Sequence, residues 1–174
     1  AFLRRDTKEH IFIFFPNENM KKMTSLKSIK IKFEVDVNPP RGATYEFKYK
    51  LLPSPHQVRL YDEPSQFAGK IHAILCRNWN YRTKGRDLYD YVFYLAKETK
   101  VNLELIRLKL IESKVITENS DFNIDILKNL LNKKFKEINY ADAKEDVITF
   151  IEDKDSLNLW NSKFFVEITK KLES

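Results

Sequence analysis

Apolar and polar positions change their rhythm once along this chain. Over residues 29–37 they alternate strictly: Ile29, Ile31, Phe33, Val35 and Val37 share one face, and Lys30, Lys32, Glu34 and Asp36 share the other. A strand's period of two produces this pattern. Residues 10–15 form a short apolar run closed by Pro16, which reads as a buried strand and a loop. After the breaker Asn38-Pro39-Pro40-Arg41-Gly42, two more strands are predicted over 44–51 and 57–61, separated by Pro53 and Pro55.

From Asp62 onward the spacing is helical. Asp62 followed by Glu63-Pro64 is a start signal, and Phe67, Ile71, Ile74 and Leu75 make the apolar stripe behind it. A basic connector over 80–85 leads to a second stripe of Leu88, Tyr91, Val92 and Leu95. Further amphipathic segments are expected near 102–113, 121–137, 141–152 and 156–172. The fold class is therefore α+β: an antiparallel sheet remnant over residues 1–61, followed by a helical bundle over 62–174. The start at Ala1-Phe2-Leu3 carries no cap or turn signal, and a sheet of these strands alone would keep an uncovered edge. A longer protein, cut at this point, is the expectation.

With 174 residues and 43% hydrophobic content, the chain can bury roughly 70% of its unfolded surface, enough for one ordinary core. Cys76 has no partner for a disulfide and no Cys/His spacing suggests zinc, so a reducing cytoplasm is expected and any metal is held by oxygen. No apolar run approaches the roughly 20 residues that span a bilayer. The net charge of +6 is concentrated early: residues 1–60 hold 12 Lys/Arg against 6 Asp/Glu, while residues 61–174 hold 19 of each. Such a field suits the phosphates of nucleotide or RNA, but solvated lysines on strands and loops are the commoner explanation.

Two places carry candidate chemistry. Glu34 and Asp36, two apart on one strand face with Lys32 beside them, can reach a common divalent cation, or can simply belong to an exposed face of mixed charge. On the first two helices, Lys70 and Arg77 are seven apart and share a face, with Gly69 leaving room for close approach. Asp87 and Asp90 are neighbours at spacing three, and Arg86 is placed to pair with Asp90. Cations facing carboxylates across a helix corner can bind polyphosphate and position magnesium or a base. They can also be a salt-bridge lattice, with Asp87 an exposed first-turn charge favoured by the helix dipole. Trp79 and Tyr81, interleaved with Arg77 and Arg82, suit base stacking or ordinary packing. His72 and Cys76 at spacing four are two soft ligands without further partners, a poor zinc site.

The run from Ile31 to Pro40, with Phe67-Ala-Gly-Lys70, Arg77 and Lys84-Gly-Arg86-Asp87-Leu-Tyr-Asp90, resembles the core of the AbiEii nucleotidyltransferase family. The tail from Tyr140 to Phe150, with Trp160 and Phe164-Phe165, is similar to that family's helical end. The resemblance implies a polymerase-β-like fold, nucleoside triphosphate and magnesium as cofactors, and a toxin paired with an antitoxin in abortive infection. RNA, including tRNA ends, is the implied acceptor class, with protein as an alternative. Residue by residue it implies Glu34 or Asp36 as a carboxylate near the metal and Lys32 beside it. Lys70, with Arg77 and Arg86, would bind nucleotide phosphate; Asp87 would be the essential acidic residue, supported by Asp90.

The family's Gly-Ser loop and Asp-x-Asp pair find no counterpart before Glu34. Two-metal transfer needs such carboxylates, so residues 1–174 alone are expected to be inactive. The competing expectation is a non-catalytic module that binds nucleotide, RNA or antitoxin.

Overall fold

Asp62 turns the chain from strand to helix. Its backbone is extended, and its carboxylate accepts the backbone N–H of Ser65 at 3.0 Å, meeting one of the donors a helix start leaves open. The computed structural model describes residues 2–6, 28–32, 41–78 and 83–174, the first two stretches through their backbone alone. The chain divides into two compact units, Ala1–Pro39 and Pro40–Ser174, and the strand-to-helix change at Asp62 falls inside the second.

In the first unit, β1 (Phe2–Asp6) pairs antiparallel with β2 (Ser28–Lys32), with Leu3 opposite Ile31 and Arg5 opposite Ile29. Strand β1 has no signal in the sequence, because two apolar residues followed by three charged ones show no alternation. The predicted strand over 10–15 and the alternating stretch beyond Lys32 lie outside the described residues.

The second unit opens with a hairpin of β3 (Tyr45–Lys50) and β4 (His56–Tyr61), in register from Tyr45 opposite Tyr61 to Lys50 opposite His56. The Tyr45 and Tyr61 rings stack at 5.1 Å between centroids, with the Arg59 guanidinium 3.7 Å above Tyr45. The hairpin is tied to the helices by polar groups: Thr44 N–H donates to Ser65 Oγ at 3.0 Å, and Asn102 Nδ2 donates to the Gly42 carbonyl at 2.9 Å.

Six α-helices follow among the described residues: α1 (Glu63–Cys76), α2 (Gly85–Ala96), α3 (Leu103–Glu112), α4 (Ile124–Glu137), α5 (Tyr140–Val147) and α6 (Ser162–Thr169). Asparagines cap four of them. Asn102, Asn123, Asn139 and Asn161 each accept a backbone N–H two or three residues on. Helix α1 is central, packing on α2, α3 and α4, while α2 packs on α5 and α4 on α6. Its stripe residues Phe67, Ile71 and Ile74 are fully buried, as are Leu88 and Tyr91 of α2. An aromatic chain links the helices, with centroids 5.8 Å from Phe67 to Tyr91, 5.4 Å on to Phe135 and 5.1 Å on to Phe165. No helix among the described residues is long and apolar enough to cross a membrane. The architecture is α+β with a helical majority, as the hydrophobic periodicity indicates.

Two helices are shorter than their patterns predict. Helix α5 stops at Val147, and the next residues, Ile148-Thr149-Phe150-Ile151, are β-branched or aromatic types that lose rotamer freedom in a helix. The segment expected over 156–172 is split into a 3-10 helix, Lys154–Leu159, and α6. Asn161 lies between them with an extended backbone, and its side chain accepts the Phe164 N–H at 3.0 Å. That local bond competes with a continuous helix.

Candidate functional site

Burying Phe67, Ile71 and Ile74 places Lys70 and Arg77 along the side of α1 that borders α2. The approach of α2 is set at its first residue. A Cβ on Gly85 would lie 1.9 Å from the Ala143 carbonyl oxygen, so only glycine lets α2 start against α5. Gly69, by contrast, faces open space, with nothing within 4 Å of where a Cβ would stand. The close approach that the sequence suggests at Gly69 is found at Gly85.

Lys70, Arg77, Arg86, Asp87 and Asp90 line one cleft of about 630 Å³. Arg77 Nη1 donates to Asp87 Oδ2 at 2.5 Å, and Lys70 Nζ donates to Asp90 Oδ2 at 2.7 Å. Asp90, which the spacing puts beside Arg86, is thus held by the neighbouring helix. Asp87 is also not the exposed first-turn charge that the sequence allows: the residue is only 4% exposed. Burial raises its carboxyl above the ordinary value; Arg77, and more weakly Lys70, act in the opposite direction without cancelling the effect. Arg77 keeps half of its side chain exposed and Lys70 slightly less, and Arg86 is exposed. The polar side of the cleft therefore holds three cations and two carboxylates, both carboxylates already engaged.

Part of the lining is apolar and was not legible in the sequence. Val147, Phe150 and Ile151 line the cleft, as does Tyr89 of α2. In the continuous helix expected over 141–152, Phe150 and Ile151 would extend the stripe of Ala143 and Val147 as core. Because α5 ends early, the chain turns, with the Phe150 N–H donating to the Val147 carbonyl at 2.9 Å. Phe150 is left 80% exposed on the cleft.

Lys32 ends β2, and nothing of its side chain is described; Glu34 and Asp36 lie outside the described residues, as do Trp79, Tyr81 and Arg82. Among the described residues no three His, Cys, Asp or Glu side chains converge to hold a metal. His72 Nε2 is instead 2.7 Å from Ser113 Oγ, and burial pushes the Cys76 thiol up from its usual value.

The model of the nucleotidyl transferase AbiEii toxin of type IV toxin–antitoxin systems matches residues 3–167. The chain belongs to this nucleotidyltransferase toxin family. No curated protein and no solved structure matches it. Membership makes a cognate antitoxin the implied partner.

Proposed function

We propose that the cleft between α1, α2 and the end of α5 binds a nucleoside triphosphate for nucleotidyl transfer to a hydroxyl on RNA or protein. One observation carries this reading: three cations from two helices share a cleft with the buried carboxylate of Asp87. Lys70, Arg77 and Arg86 meet the triphosphate, whose oxygens match charged N–H donors and especially the guanidinium fork. The acceptor oxygen attacks the α-phosphorus, the bond to the β-phosphate breaks, and pyrophosphate leaves. Asp87 takes the proton of the attacking hydroxyl. A carboxyl raised by burial is better matched to that task than an ordinary one. Arg77 shifts from Asp87 to a phosphate oxygen as nucleotide binds, freeing Oδ2; Asp90 holds Lys70 at the wall.

Magnesium would neutralise charge on the triphosphate. The described residues do not fit it, since Asp87 and Asp90 each already face a cation and no cluster of three ligands exists among them. The family resemblance makes Glu34 or Asp36 the candidate carboxylates for the ion; both lie outside the described residues, and no step of the transfer is assigned to it. That engagement of both carboxylates favours a second reading, a module that binds nucleotide, RNA or antitoxin without transferring. The experiment is incubation of the protein with α-labelled nucleoside triphosphate, magnesium and tRNA or total RNA. Label incorporated by the wild type and lost in Asp87→Asn supports transfer. Binding without incorporation supports the module.

A further inference from the structure

The cleft lining combines two chemistries. Lys70, Arg77 and Arg86 line it together with Val147, Ile151 and two exposed rings, Tyr89 at 48% and Phe150 at 80% exposure. The Phe150 ring is free to meet a ligand, and its backbone is fixed by the turn bond from Phe150 N–H to the Val147 carbonyl. A ligand that satisfies both sets of residues is anionic in one part and flat and apolar in another. The cleft's roughly 630 Å³ lies within the range of small-molecule sites.

We infer that Phe150, with Tyr89, is the nucleobase platform of this cleft, stacking the base of the nucleotide whose phosphates Lys70, Arg77 and Arg86 hold. The inference rests on the nucleotide-binding reading above and deepens it. It also sets specificity. Among the described residues, no side-chain amide and no serine or threonine hydroxyl lines the cleft, and its two carboxylates are engaged by Lys70 and Arg77. Stacking area is therefore the selective feature that these residues offer.

The test compares ATP with inorganic tripolyphosphate, which has the charge without the base, by calorimetry on the full chain in wild type, Phe150→Ala and Phe150→Trp. Phe150 packs little, so both variants keep the fold, which a thermal melt verifies. The expected result is a roughly 5- to 20-fold loss of ATP affinity in Phe150→Ala, from the usual strength of base–aromatic stacking. Phe150→Trp should match or exceed wild type, and tripolyphosphate should bind all three alike. ATP binding unchanged in Phe150→Ala overturns the base platform and leaves the phosphate site standing. A parallel loss of tripolyphosphate overturns it too, by assigning Phe150 a structural role. Failure of wild type to bind either ligand overturns both readings.

Discussion

Arg77, at the end of α1, donates to the carboxylate of Asp87 in the first turn of α2, joining a half-exposed guanidinium to an almost fully buried acid. Burial still raises the Asp87 carboxyl despite that partner, so ionised Asp87 costs the fold stability. Asp87→Asn, which keeps an acceptor for Arg77 and removes the charge, should leave the melting temperature unchanged or slightly higher at pH 7. Transfer should fall by roughly 10²-fold or more, the usual contribution of a proton acceptor. Asp87→Ala strands Arg77 and opens a void, and should cost about 1–2 kcal/mol, roughly 2–6 °C for a chain of this size. Thermal melts beside a transfer assay check both.

Asp62 and Asp87 should leave opposite marks on acid stability. Burial acts to raise Asp62, but hydrogen bonds from Thr44 and Ser65 outweigh it and hold the carboxyl below its ordinary 3.8. Its contribution is therefore present above pH 3.8 and is lost as pH falls through the lower native value. Asp87 behaves inversely: its contribution is full below 3.8 and is lost as pH rises through the raised native value. Urea unfolding at several pH values should show Asp62→Ala losing roughly 0.5–2 kcal/mol at neutral pH, as capping residues do. That loss should shrink toward acid. Asp87→Asn should instead gain on wild type as pH rises above 3.8.

The two helical glycines of the cleft region should respond in opposite directions. Gly85→Ala drives a methyl against the Ala143 backbone carbonyl, which cannot swing aside as a side chain would, and should cost about 3 kcal/mol. By shifting α5 against α2 it should also weaken triphosphate binding. Gly69→Ala meets open space in mid-helix and should stabilise by roughly 0.5–1 kcal/mol. Paired denaturation curves decide this, and equal effects at the two sites would show that the α2–α5 contact is misplaced.

The helical half of the fold was readable because its stripes are long and their starts are marked. Asp62 and Asn102 act as caps, and Phe67, Ile71, Leu88 and Tyr91 are buried as their spacing requires. The cationic and acidic groups of the cleft were readable for the same reason: Lys70 with Arg77 and Asp87 with Asp90 follow helical periodicity. What stayed hidden depends on tertiary packing. Spacing places Asp87 on a face but does not say that α1 and Arg77 cover it. The role of Gly85 requires knowing that α5 crosses there. Phe150 reads as core in any helix that continues past Val147, and only the early stop exposes it. Strand β1 was missed because its pairing with β2 supplies what its own pattern lacks.

Lys70, Arg77 and Arg86 together should form a triphosphate site, and titration of ATP and GTP into the chain measures this. Wild type and the double variant Lys70→Ala/Arg86→Ala should be compared by calorimetry at two salt concentrations; both side chains are at least partly exposed, so the fold should survive. Exposed charge contacts are screened by salt, and a few of them support a dissociation constant of roughly 0.1–1 mM, about 4–5.5 kcal/mol. Binding should fall in that range, weaken with added salt and drop roughly tenfold or more in the double variant. Equal affinity in wild type and variant, or binding indifferent to salt, would contradict it.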